Sequence, residues 1–177
     1  AMSLVDAGLW LGLIGVFGGT LGAVTGGLLV DRLARKDPRW QLRVPVIGLV
    51  IALPTQLAFV LWPETHRIGG PDGLPFALVF MGLSAVFASF WIAPSYAAVQ
   101  NLVPPHWRTQ ASALMLLAIN LLGLGLGPLV VGMLSDYFAY TGVNSIRWAL
   151  VVVLSTCIFG AWCYWRGSIP YARAMSR

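Results

Sequence analysis

The residues with the clearest chemistry in this chain form a charged cluster that directly follows 22 uncharged residues. Gly27 lies four residues before Asp31, and the cations Arg32, Arg35 and Lys36 follow within the next five residues. One carboxylate among three cations can form ion pairs at the point where a helix leaves a membrane. The simpler interpretation is a loop whose cations only orient the helices. Orientation requires cations alone, however, and does not explain a glycine four residues before the aspartate.

A second candidate for chemistry is Asn120, the only asparagine in the middle of an apolar run. A buried amide in a membrane needs a hydrogen-bond partner, so this side chain must face protein or water. Gly123 and Gly127 share its helix face. The residue therefore either joins two helices or lines a pathway, and the sequence alone leaves both interpretations open.

The elements that position these residues are apolar runs long enough to cross a membrane. Of the 177 residues, 58% are hydrophobic and 10% are charged, whereas a soluble domain carries about 25% charged residues. A helix of about 20 residues crosses the hydrocarbon core. We therefore predict an all-α membrane protein with five transmembrane helices, at about residues 9–30, 44–62, 74–99, 111–134 and 148–165.

The distribution of lysine and arginine predicts how the helices are oriented. Nine of these cations lie in the first and third gaps and the tail, and only Arg67 and Arg147 lie on the opposite side. The positive-inside rule then places the N-terminus outside and the C-terminus in the cytoplasm, and we expect a bacterial inner membrane. Tryptophans at the run ends, including Trp40 and Trp165, suit the membrane interface.

Signals for an enzyme or a metal centre do not occur in this sequence. There is no Walker motif and no His-Glu-x-x-His, and His66 and His106 fall on opposite sides of the predicted membrane. The cations sit in short gaps rather than along one face, which argues against nucleic acid. We therefore expect no catalysis, cofactor or metal, and we expect membrane lipid and a small molecule as partners.

Small residues predict where helices approach one another closely. Six glycines of the first run fall within roughly 80° of one another on a helix, and Gly123 and Gly127 share a face of the fourth run. Faces of this kind allow close helix packing in membranes. The six are Gly8, Gly12, Gly15, Gly19, Gly22 and Gly26.

The chain resembles the major facilitator superfamily, as a partial C-terminal half spanning residues 1–177. Gly27, Asp31, Arg32, Arg35 and Lys36 match that family's cytoplasmic loop motif, although Ala34 replaces its second glycine. The stretches 103–108 and 120–128 resemble the Spinster-like branch. The five helices would then be the eighth to twelfth of a twelve-helix transporter. They would form a six-helix half-bundle that lacks its first helix.

The resemblance implies alternating access around a central cavity and a partner, the missing N-terminal half. In that family the loop carboxylate docks on a helix end of the other half, so Asp31 would control which side is open. The cavity would be lined by the first, third and fourth helices, and the second and fifth would face lipid. Its candidate residues are Thr20, Ser84, Trp91, Ser95 and Asn120.

Two hypotheses about function follow. The favoured one is a fragment of a secondary active transporter for a small organic, amphipathic or lipid-like solute, because so apolar a cavity suits such a solute better than a sugar. The alternative is a complete five-helix scaffold or receptor module that transports nothing. The first residue is Ala1 rather than methionine, which favours a fragment.

Overall fold

A computed structural model describes residues 4–62, 67–68 and 74–175. Within them, five helical segments are long and apolar enough to cross a membrane, which confirms the predicted all-α membrane class. We call them spans 1 to 5. They run Gly8–Ala34, Trp40–Leu61, Ala77–Leu102, Pro105–Tyr137 and Ser145–Met175.

Spans 1, 2 and 5 are continuous α-helices. Helix α1 is Leu4–Ala34 and α2 is Trp40–Leu61. The only strands among the described residues are β1 (Arg67–Ile68) and β2 (Leu74–Pro75), an antiparallel pair between spans 2 and 3. Span 5 is one helix of 31 residues, α7 (Ser145–Met175). Spans 3 and 4 each contain two α-helices, which take the numbers α3 to α6.

Span 3 is interrupted near its middle by a proline. Helix α3 (Ala77–Ala88) passes through a 3₁₀ turn at Ser89–Trp91 into α4 (Ile92–Leu102). Pro94 has no N–H to donate to the carbonyl one turn earlier, and its ring crowds that turn. The interruption caused by Pro94 therefore appears as a tighter turn just before it.

Span 4 changes its helical type twice. After a 3₁₀ turn at Pro105–Trp107, α5 (Arg108–Ala118) continues as a π-helix over Ile119–Leu126 and then as α6 (Gly127–Tyr137). A 3₁₀ segment, Ala139–Asn144, leads to α7, and its Gly142 has a φ of 66°. A backbone with that φ favours glycine, because a Cβ would meet the neighbouring carbonyl.

The core lies where spans 1, 2 and 3 meet. Val30, Val44 and Phe90 form its buried cluster. Span 5 packs on span 2, and span 4 makes its main contacts with span 3 at its start and span 5 at its end. None of residues 105–137 is buried, so span 4 presents its apolar side chains to the surroundings.

Glycines allow spans 1 and 2 to contact the backbone of span 3. A Cβ on Gly22 would collide with the carbonyl oxygen of Val86, and one on Gly26 would lie 3.0 Å from the Cα of Phe90. From the other side, a Cβ on Gly48 would lie 2.6 Å from the Cβ of Phe90. In contrast, a Cβ on Gly12 would have no atom of a neighbouring described helix within 4 Å.

This difference predicts opposite effects of two alanine substitutions in α1. Gly22→Ala forces spans 1 and 3 apart and is expected to destabilise the protein by about 1–3 kcal/mol, the usual cost of overpacking. Gly12→Ala in the same helix gains helix propensity, worth up to about 1 kcal/mol. Thermal unfolding in detergent micelles, followed by circular dichroism, measures both. Equal midpoints for the two variants would contradict the packing described here.

Candidate functional site

The turn that joins spans 1 and 2 holds the charged cluster in a defined geometry. The carbonyl oxygen of Leu33 accepts hydrogen bonds from the backbone N–H of Lys36 (3.0 Å) and of Asp37 (3.2 Å). The Asp37 carboxylate accepts one from the N–H of Arg39 at 2.9 Å. No non-glycine residue in the described chain has a positive φ, so this turn does not require glycine at Ala34.

The Asp31 carboxylate is exposed and takes no part in that turn. It lies at the C-terminal end of α1, where the helix dipole is unfavourable for a negative charge. Arg32, Arg35 and Lys36 are exposed beside it, yet no described residue forms an ion pair or hydrogen bond with this carboxylate. Within the part of the chain that the structure describes, the site therefore presents a carboxylate without an ion pair, which a positive helix end could bind.

Close packing just before Asp31 fixes the position of that carboxylate. A Cβ on Gly26 would contact Phe90, and one on Gly27 would lie 3.4 Å from the Cβ of Ala93 in α4. Span 3 thus supports α1 one turn before the charged residue. Gly27, which the sequence placed in the cluster, serves as a packing position here rather than as part of the turn.

Two of the cavity candidates, Thr20 and Asn120, are exposed. The Thr20 hydroxyl donates to the carbonyl oxygen of Val16 at 2.7 Å, and the Asn120 amide donates to that of Leu116 at 2.8 Å. Both bonds stay within one helix and satisfy the donors locally. Among the described residues, none donates to the amide oxygen of Asn120, so this oxygen can accept a hydrogen bond from a ligand or a partner.

The candidates on span 3 are placed differently. Ser84 and Ser95 are each 5% exposed, and Trp91 is half-buried in the 3₁₀ turn. The Ser84 hydroxyl donates to the carbonyl oxygen of Met81 at 2.8 Å. Ser95 shares a 2.7 Å hydrogen bond with the hydroxyl of Tyr164 on span 5. These serines therefore lie within the packed bundle, whereas Thr20 and Asn120 are exposed.

The sequence analysis missed the polar contacts that connect spans 3 and 5. Besides the Ser95 bond to Tyr164, the amide of Asn101 donates to the hydroxyl of Tyr171 at 3.2 Å. The two tyrosines are seven residues apart, which places them on one face of a helix. The spacing of the two tyrosines on span 5 is the signal that could have indicated this interface, whereas Ser95 and Asn101, six residues apart, would not share a face of a regular helix.

These hydroxyls border a cavity of about 500 Å³ between spans 3, 4 and 5. Met115 of span 4 and Leu42 of span 2 add to its apolar lining. Its polar groups are the side chains of Ser95, Tyr164 and Tyr171, which can form hydrogen bonds. Across the described residues, no three histidine, cysteine, aspartate or glutamate side chains are grouped to hold a metal ion.

The backbone around Asn120 is open because the π-helix coincides with a run of glycines. A Cβ built on Gly123 or Gly127 would have no atom of another described segment within 4 Å. Short π segments inside α-helices often occur at functional sites, because they displace the register of the following turn. The helix is therefore least regular where its single mid-span amide is exposed.

One comparison with known proteins bears on this arrangement. The chain is 38% identical over 175 residues to a protein of Mycolicibacterium smegmatis (strain ATCC 700084 / mc(2)155) named "MFS-type efflux pump". No protein-family model and no solved structure matches the chain. The match covers 97% of this chain but only 38% of the relative's length. The chain is thus similar, along nearly all of its residues, to part of a longer membrane transporter.

Proposed function

We propose that this chain is part of a secondary active transporter of the major facilitator superfamily, acting together with a second helical half. The observation that carries the proposal is the 38% identity to an efflux pump over 97% of the chain. The exposed apolar face of span 4 supports it, since an apolar surface of this size requires lipid or another protein surface. By analogy with the relative's name, the direction of transport would be export.

In this proposal Asp31 controls the inner side of the transport path. Its carboxylate binds the N-terminal end of a helix in the other half when that side is closed, and Arg32, Arg35 and Lys36 adjust the surrounding charge. The exposure of Asp31 supports this role, as does the absence of an ion pair to its carboxylate among the residues that the structure describes. A carboxylate at a positive helix end gains about 0.3–1 kcal/mol at an exposed site, enough to bias an equilibrium between two states of similar free energy.

Thr20 and Asn120 are the candidates best placed to meet a solute, because both are exposed. The lining around them is apolar, and it includes Phe17 and Leu121, which are 65% and 61% exposed. An amphipathic or lipid-like organic solute fits such a surface, with its polar group near the amide oxygen of Asn120. The resemblance to the Spinster-like branch points to the same class of solute.

Neutralising the docking carboxylate is the first test of this function. Asp31→Asn in the full-length transporter is expected to shift the equilibrium between inward-open and outward-open states about two- to fivefold, which is the loss of 0.3–1 kcal/mol. Distances between spin labels on the two halves report that equilibrium. Uptake of a fluorescent lysophospholipid and of ethidium into inverted vesicles reports transport.

Asp37→Asn is the matched control, because it makes the same charge change six residues further along the chain. Its amide oxygen can still accept the hydrogen bond from the backbone N–H of Arg39. We expect this variant to behave as the parent protein. Unchanged state populations and transport in Asp31→Asn would refute the gating role. Equal loss in both variants would assign the effect to net charge alone.

A second test concerns the amide of span 4. Asn120→Leu removes a hydrogen-bond acceptor from the proposed cavity and is expected to raise the half-saturating solute concentration about two- to tenfold, the loss of one hydrogen bond. Ser155→Ala is the control, since Ser155 is also exposed and bonded only within its own helix, to the carbonyl oxygen of Val152. An unchanged concentration dependence in Asn120→Leu would remove Asn120 from the site.

A further inference from the structure

Spans 2 and 5 form an exposed groove that includes neither Thr20 nor Asn120. Near the charged end, a pocket of about 260 Å³ lies between Trp40, Arg43 and Trp165 and continues along Val46, Ile47, Val50 and Ile51. A second pocket of about 230 Å³ shares Val50 and reaches Cys157 and Ile158. The two pockets make one apolar groove along the helix axes with a single cation at one end.

That cation, Arg43, has no anionic partner within residues 4–62, 67–68 and 74–175. Its guanidinium carbon lies 5.0 Å from the ring centroid of Trp165, and its buried Nε atom has no hydrogen-bond partner. Neither Trp40–Leu61 nor Ser145–Met175 contains an aspartate or glutamate. A buried donor without an acceptor is costly, so an anionic oxygen at this position would stabilise the site.

We propose that this groove binds one anionic phospholipid of the surrounding membrane leaflet. The phosphate lies at Arg43 between the two indoles, and one acyl chain follows the groove past Val50 to Ile158. Three observations support this occupant: the unpaired guanidinium, the tryptophans that suit the membrane interface, and an apolar channel that begins directly at the cation. Basic pockets between membrane helices bind anionic head groups in this way.

A protein segment is a weaker candidate for this groove. Its wall residues, such as Val50 and Ile158, are 61% and 63% exposed, and an apolar helix laid along them would leave Arg43 without a counter-charge. A phospholipid satisfies both ends of the groove with one molecule. The proposal does not depend on transport, because it concerns the face that spans 2 and 5 present to lipid.

The test is lipid binding to the purified full chain in detergent. Dioleoyl phosphatidylglycerol, dioleoyl phosphatidylcholine and glycerol 3-phosphate are each titrated while the unfolding temperature is recorded, and native mass spectrometry counts the lipids retained. We expect phosphatidylglycerol to raise the unfolding temperature with one lipid bound, and glycerol 3-phosphate to have no effect. Equal stabilisation by both phospholipids, or by glycerol 3-phosphate alone, would overturn the proposal.

Substitutions at Arg43 and at Val50 test the cation and the apolar part of the groove separately. Arg43→Gln is expected to weaken the apparent affinity for phosphatidylglycerol about fivefold, the contribution of one cation near an anionic lipid. Arg108→Gln makes the same charge change at an exposed site on span 4 and should leave the affinity unchanged. Equal weakening by both variants would show a general charge effect and refute the site.

Val50→Trp fills the groove where the two pockets meet and leaves Arg43 in place. We expect it to lower the retained phosphatidylglycerol to the level of Arg43→Gln. Leu114→Trp, at a residue 67% exposed on span 4, is the control for added bulk and should retain the lipid. Full retention by Val50→Trp would refute the proposed path of the acyl chain, even if Arg43→Gln does not fold.

Discussion

The close contact between the backbones of spans 1, 2 and 3 is the constraint on which the rest of the structure depends. Phe90 lies between Gly26 of span 1 and Gly48 of span 2, and a Cβ at either glycine would lie within 3.0 Å of it. In a membrane, helices gain little from burying apolar side chains, because lipid is equally apolar. Dispersion contacts between closely packed backbones therefore contribute much of the stability, and they require glycine at these positions.

This packing also determines where charge and polarity can act. The packed part of α1 continues past Asp31, because Val30 is buried in the core and Leu33 and Ala34 pack against the same cluster. The exposed carboxylate therefore extends from a well-supported helix. The hydrogen bonds of Tyr164 and Tyr171 join spans 3 and 5. Span 4 contacts this unit mainly near its two ends, and its glycine-rich π segment lies between those contacts. The ordered part of the bundle thus carries the charged cluster, and the less regular span carries the exposed amide.

Two surfaces of the chain differ in the partner they suit. Thr20 and Asn120 lie on exposed stretches of spans 1 and 4, which also carry the open glycines Gly12 and Gly127. In our proposal these stretches meet a solute and a second helical half. The groove between spans 2 and 5 ends in a cation flanked by indoles and suits a phospholipid. The distinction is electrostatic: Arg43 needs an anion, whereas the exposed oxygen of Asn120 needs a donor.

The sequence by itself determined the all-α membrane class and the number of spans, because uncharged runs of this length have few alternatives in hydrocarbon. It also located the charged turn and the glycine face of α1. Only the tertiary structure decided which glycines are in contact, since Gly22 and Gly12 share a face and differ only in where span 3 crosses it. The same holds for Ser95, which lies against Tyr164, and for Arg43. Periodicity gives the direction of a side chain around its own helix, but the neighbouring helix decides what that side chain meets.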